Sequence, residues 1–291
     1  MKVLCRICAV LFFVQQVTTN WAASPQKPAE AIAGQGEISF KLFGGFLIVM
    51  EGRIGDRDKL KFVLDTGVTH SVVDRKLADR IPGPRRRFGE ILSFDKAVKA
   101  EWVEIPEIEF GPVRAAKLSM IVGDLRYFQS YATHVDAVVG LDLLRLSSFS
   151  IDYDAHKVTF GPVNTDSGVP IDVDGVCITV QLMMGDRKVR LLVDTGAQTL
   201  VLYEDRVAGR LPQLKMERET FGVSMGGWVQ SKRGFISNVR IGNAPLEGII
   251  FLVKAPPADQ LPGVDGYFGT AVLKARRIDF NFDAKTLGWK K

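Results

Sequence analysis

The sequence predicts an all-β protein, mainly strands with a few short helices, made of two similar halves. Short runs rich in β-branched residues recur along the chain, each punctuated by Gly, Pro or Asp. The chain also repeats itself. Phe62-Val63-Leu64-Asp65-Thr66-Gly67 returns as Leu191-Leu192-Val193-Asp194-Thr195-Gly196, 129 residues later. Val135-Asp136-Ala137-Val138-Val139-Gly140 returns as Val264-Asp265-Gly266-Tyr267-Phe268-Gly269, and Tyr153-Asp154-Ala155 as Phe282-Asp283-Ala284, both at 129 again. Three landmarks with one spacing mark a duplicated fold.

Taken in order, residues 1–24 read as a secretory signal. Lys2 and Arg6 precede an apolar run, Ile7 to Val14, that is too short to span a bilayer. Ala22, Ala23 and Ser24 supply the small residues of a cleavage site, and an uncleaved anchor is the competing reading. Residues 25–36, with Pro25, Pro28, Gly34 and Gly36, read as a flexible lead-in. The N-terminal half, 37–161, has strands over Phe46 to Met50, Lys59 to Leu64, Ile105 to Phe110 and Leu118 to Val122, with short helices over Ser71 to Arg80 and Leu141 to Leu144. The C-terminal half, 162–291, has strands over Val176 to Leu182 and Val189 to Val193, and a short helix over Thr270 to Lys274. The seam falls between Gly161 and Asp174. Indels separate the halves locally: Ile108-Glu109-Phe110-Gly111 and Val239-Arg240-Ile241-Gly242 lie 131 apart, as insertions in surface turns allow.

Composition narrows the function classes. The net charge is +5, but the basic residues are scattered apart from Arg85-Arg86-Arg87, and no aromatic-interleaved basic stripe suits nucleic acid. Cys5 and Cys8 would leave with the signal, so Cys177 remains alone in an alternating apolar run, as a buried structural thiol. The expected location is periplasmic or secreted. His70, His134, His156 and Cys177 lie too far apart for a metal-ligand motif, and there is no phosphate loop or dinucleotide fingerprint, so no cofactor is implied. Gly222-Val223-Ser224-Met225-Gly226 matches a serine-hydrolase elbow, but no His follows it in the chain to serve as its base.

The chemistry sits in the repeated motif. One Asp-Thr-Gly is weak; two, each after three apolar residues and each followed 75 residues later by an apolar-apolar-Gly segment, are specific. In these residues the chain resembles the aspartic peptidases, pepsin-like and retropepsin-like, over nearly all of its mature length. It looks like two fused retropepsin-type halves in one chain, of the bacterial aspartyl protease type. That resemblance implies a pseudo-dimeric acid-protease fold, two closed β-barrel halves with the active-site cleft between them. It implies that Asp65 and Asp194 are the catalytic pair, that the Thr66 and Thr195 hydroxyls brace one half against the other, and that Gly67 and Gly196 permit the active-site turns. Two carboxylates held close cannot both ionise cheaply, so they share one proton. One then activates water while the other polarises the scissile carbonyl.

The family's glycine-containing flap corresponds to Gly226, Gly227 and Trp228, with Trp228 available to line the cleft; the matching first-half region, Phe94 to Trp102, has no Gly at its tip. Residues 24–36 are too few for a pepsin-type pro-segment. The turns continue differently, Val68-Thr69-His70-Ser71 against Ala197-Gln198-Thr199-Leu200, and His70 either tunes the dyad or is a surface or capping residue. The expected function is an aspartic endopeptidase acting on polypeptides as a monomer whose halves pair in cis, with trans pairing of two chains the alternative. The rival readings are a catalytically inactive peptide-binding protein of the same fold and a structural envelope protein.

Overall fold

A computed structural model describes residues 10–11, 14–16, 30–81, 86–93, 96–131, 133–164, 168–173, 177–224, 227–256 and 261–291. In the first half, the apolar run before Asp65 forms the strand Arg57–Leu64, which pairs antiparallel with Leu47–Ile54 and parallel with Ala137–Val139. Ala137–Val139 pairs in turn with Val72–Asp74, which lies beside Val113–Gly123. Val113–Gly123 pairs with the long strand Lys96–Phe110, whose far end returns to Leu47–Ile54 and closes the ring. Alternating buried residues such as Phe62, Leu64, Met120 and Val122 fill it.

The second half repeats the circuit. Arg187–Asp194 lies between Thr179–Met184 and Gly266–Gly269; Leu200–Tyr203 and Ile249–Val253 follow. Here the long strand is split into Gly227–Phe235 and Val239–Ile241, with Asn238 at φ 59° between them, and the second piece closes on Thr179–Met184. The expected mainly β, two-barrel architecture is borne out.

The halves meet in a shared sheet ordered Gly36–Phe43, Lys157–Phe160, Phe149–Asp152, Arg277–Asn281, Thr286–Lys290, Gly168–Asp172. At its centre Ser150 stands opposite Asp279, its own duplicate 129 residues on, so the pseudo-two-fold axis passes between them. The Ser150 hydroxyl donates to Asp279 at 2.6 Å, and the Arg277 guanidinium binds both. Phe149 stacks on Phe280 at 4.7 Å, and one apolar core runs through this sheet into both barrels.

Each half also projects a hairpin: Arg86–Ser93 with the start of Lys96–Phe110, and Lys215–Ser224 with Gly227–Phe235. The N-terminal residues lie on these hairpins. Val10–Leu11 pairs parallel with Lys215–Ser224, and Val14–Gln16 pairs antiparallel with Arg86–Ser93. The rest of the proposed signal lies outside the described residues.

Two local expectations change. Ser71 to Arg80 was expected to be helical, but Val72–Asp74 is a strand and only Arg75–Ala78 is a helix, because Val72 and Val73 pair on both edges within the barrel. The expected flexible lead-in includes the strand Glu30–Ala33, whose backbone is satisfied along Val113–Gly123.

Candidate active site

The apolar strands deliver Asp65 and Asp194 to two turns that cross at the interface of the halves. The Thr66 hydroxyl donates to the Val193 carbonyl at 2.9 Å and accepts from the Thr195 amide at 3.1 Å. Reciprocally, the Thr195 hydroxyl donates to the Leu64 carbonyl at 3.1 Å and accepts from the Thr66 amide at 3.0 Å. The hydroxyl and the amide of each threonine are thus satisfied by the opposite half, with both residues buried.

Each aspartate lies against the opposite turn's glycine. A Cβ on Gly67 would sit 2.6 Å from Asp194 Cγ, and one on Gly196 would sit 2.4 Å from Asp65 Oδ2. Any other residue would push the turns apart. Behind them, Gly140 and Gly269 allow the segments after Ala137–Val139 and Gly266–Gly269 to press on the turns. A Cβ there would meet the Val68 carbonyl oxygen at 2.8 Å and the Ala197 carbonyl oxygen at 2.6 Å.

The two carboxyl groups lie within hydrogen-bonding reach of each other, and both side chains are 0% exposed. Asp65 Oδ1 accepts from the Gly67 amide at 2.8 Å, and Asp194 Oδ1 from the Gly196 amide at 2.7 Å. Among the described residues, neither Oδ2 takes a hydrogen bond from a protein donor. Burial raises both carboxyls well above the usual range, and Asp65's charge raises Asp194 further. The Gly67 amide, by contrast, favours ionised Asp65. The pair therefore binds a proton as a unit.

Around this centre the halves differ. Ser71 donates from its amide and hydroxyl to Asp142 at 2.8 and 2.6 Å, while its oxygen accepts from the Gly140 amide at 3.0 Å. This brace ties the helix Leu141–Leu144 to the first turn. At the duplicate positions stand Leu200 and Ala271, which cannot form it. Asp142 was legible only as part of a short helix; comparing the halves position by position was the signal that could have found it. His70 is not a surface residue. It is half-buried with its ring 5.1 Å from Trp102, edge to face, and burial aided by Arg87 lowers it to about 4.

Of the proposed flap residues, Gly226 lies outside the described residues. Gly227 begins the second hairpin's return strand, and Trp228 beside it is 75% exposed. Ser224 ends a hairpin strand, without the strand-to-helix turn of a nucleophile elbow.

Two copies of one motif, crossed so that paired acids meet at their turns, give the duplicated architecture of the acid-protease fold. The family model for aspartyl proteases matches residues 50–143 and again 180–272, together well over half of the chain. The chain belongs to that family. No curated protein matches it.

Proposed function

We propose that the protein is an aspartic endopeptidase that hydrolyses peptide bonds with a water activated between Asp65 and Asp194. The observation that carries this is the buried carboxyl pair, cross-braced by Thr66 and Thr195, with both Oδ2 atoms left without protein donors. The ionised carboxylate takes a proton from water as its oxygen attacks the scissile carbonyl carbon. The protonated carboxyl gives its proton to the carbonyl oxygen, producing a gem-diol. The carboxyl that took the water's proton passes it to the amide nitrogen while the other carboxylate takes a proton back from a gem-diol hydroxyl. The C–N bond then breaks to give a carboxylic acid and an amine, and no covalent enzyme intermediate forms.

The substrate is an extended polypeptide. The outer edges of both hairpins already accept extended backbone, from Val14–Gln16 and Val10–Leu11, which is how a sheet edge recognises a peptide. The protein works as a monomer in the periplasm or outside the cell, as its signal-like N-terminus suggests.

The test is cleavage of a reduced, unfolded polypeptide followed by mass spectrometry. Asp65→Asn and Asp194→Asn should each lower turnover on the order of 10³–10⁴-fold or more while the thermal transition is retained. A wild-type protein that binds peptide but never cleaves it would support the peptide-binding reading instead.

A further inference from the structure

The two hairpins occupy equivalent places but are not held equally. Strand register aligns them residue by residue. In the first half Val72 is beside Ile121, Ile121 beside Trp102 and Trp102 beside Arg87. In the second, Val201 is beside Phe251, Phe251 beside Arg233 and Arg233 beside Arg218. The position of His70 corresponds to Thr199.

The first hairpin therefore carries a three-layer stack that the second lacks. The His70 ring meets Trp102 edge-on at 5.1 Å, and the Arg87 guanidinium lies 5.5 Å from the centre of the Trp102 ring. Thr69 Oγ1 lies 3.1 Å from His70 Nδ1 and orients the ring, while Arg87 is fixed by donating to Ser119 Oγ at 2.7 Å. Trp102 is 5% exposed. Near the tip, Leu92 is fully buried in an apolar cluster that also holds Tyr267 and, from the second hairpin, Val229. In the second hairpin the central stack is replaced by Arg233, which pairs with Glu217 of the same hairpin at 3.3 Å. Exposed aromatic side chains do not distinguish the two, since Phe88 of the first is 80% exposed and Phe221 and Trp228 of the second are 58% and 75% exposed; the difference lies in the stack.

Both catalytic-site carboxyls are closed off from solvent, so a long polypeptide enters only when one wall moves. We propose that the hairpins divide this work: the first is a standing wall, positioned on the Asp65 turn through His70 and Trp102, and the second is the wall that opens. His70 is then a positioning residue, five residues along the chain from the acid whose cleft it shapes. The proposal deepens the peptidase reading and rests on it for the word substrate, but its main test needs no turnover.

In amide hydrogen exchange of the full chain, residues 97–103 should exchange at least about tenfold more slowly than 228–235. His70→Ala should cut that difference to below about threefold by accelerating the first hairpin alone, and Trp102→Ala should act alike. His70→Phe, which keeps a ring against Trp102, should preserve the protection. In a cleavage assay, His70→Ala should raise KM about tenfold with kcat nearly unchanged, since it loosens a binding wall and not the dyad. Equal exchange of both hairpins in the wild-type protein, or equal acceleration of both in His70→Ala, would overturn the division of labour. Absence of cleavage with the exchange pattern intact would instead count against the peptidase reading.

Discussion

Gly67 and Gly196 show how strictly the crossing of the turns limits side-chain size. The nearest atoms to a Cβ at Gly67 belong to the Asp194 carboxyl, at 2.6–2.8 Å, and that carboxyl is itself held by the Gly196 amide. Gly67→Ala should therefore destabilise the fold by about 1–3 kcal/mol through overpacking, and abolish cleavage, because the turns must separate. Gly89→Ala is the matched control: its Cβ would meet only Trp102 Nε1 at 3.8 Å, and it should stay within about 0.5 kcal/mol of wild type in urea unfolding. Equal losses for the two variants would refute the close approach. These glycines were legible in the sequence, because their role is local to a repeated motif. The contacts of His70 were not. Its partner lies 32 positions away on another strand, and only the register of Lys96–Phe110 against Val113–Gly123 brings the two rings together.

At the scale of elements, each hairpin is latched to the short helix of its own half, and the polarity of the latch is reversed between halves. In the first, Arg75 of the helix pairs with Glu101 at 2.7 Å, and Arg86 joins it. In the second, Glu204, which opens the helix Glu204–Val207, pairs with Lys232 at 2.7 Å. By register Glu101 corresponds to Lys232, and at the 129-residue repeat Arg75 corresponds to Glu204, so both charges of the pair are inverted. The inversion keeps each latch favourable while making a hairpin of one half repel the helix of the other. Glu101→Lys alone, facing two arginines, should cost about 1–2 kcal/mol. The double change Arg75→Glu, Glu101→Lys should recover about half of that loss, since Arg86 is also held by Asp79 and stays in place, as urea unfolding would reveal. A double variant as unstable as the single one would remove the latch from the account. The strands that build these elements were largely readable from β-branched runs, whereas the helix over Ser71 to Arg80 was misread. There the pairing of Val72 and Val73 inside the barrel, invisible to local pattern, decides the conformation.

For the molecule as a whole, duplication places identical positions across an axis, as Ser150 and Asp279 show, and divergence then lets a serine hydroxyl and an arginine satisfy one buried carboxylate. The 129-residue repeat made the two-barrel plan legible, but not which acids the fold would bury. Those acids set the response to pH. Burial raises Asp142 to about 6 from an ordinary 3.8, against the opposing pull of its Ser71 hydrogen bonds, and burial also raises both carboxyls of the dyad. A folded state that holds protons more tightly than the unfolded chain loses stability as pH rises. For Asp142 the loss begins near the unfolded value and is complete above about 6, on the order of 3 kcal/mol. Two kinds of group act in the opposite sense. His70, lowered to about 4 by burial, gives stability that is lost as pH falls from about 6.5 toward 4. Asp124, held down to about 2 by hydrogen bonds from Arg126, contributes stability that fades as pH falls toward that value. The rise toward acid pH rests on Asp142 and the dyad together outweighing His70. The protein should thus melt at a higher temperature near pH 4.5 than near pH 7.5, with a further decline below about pH 3. Asp142→Asn, neutral at every pH and still able to bond Ser71, should flatten the acid-to-neutral slope without removing the dyad's share. Melting temperatures across this range would decide the matter: a wild-type Tm that climbs toward neutrality, or an Asp142→Asn profile parallel to wild type, would mean that buried acids do not govern the stability of this fold.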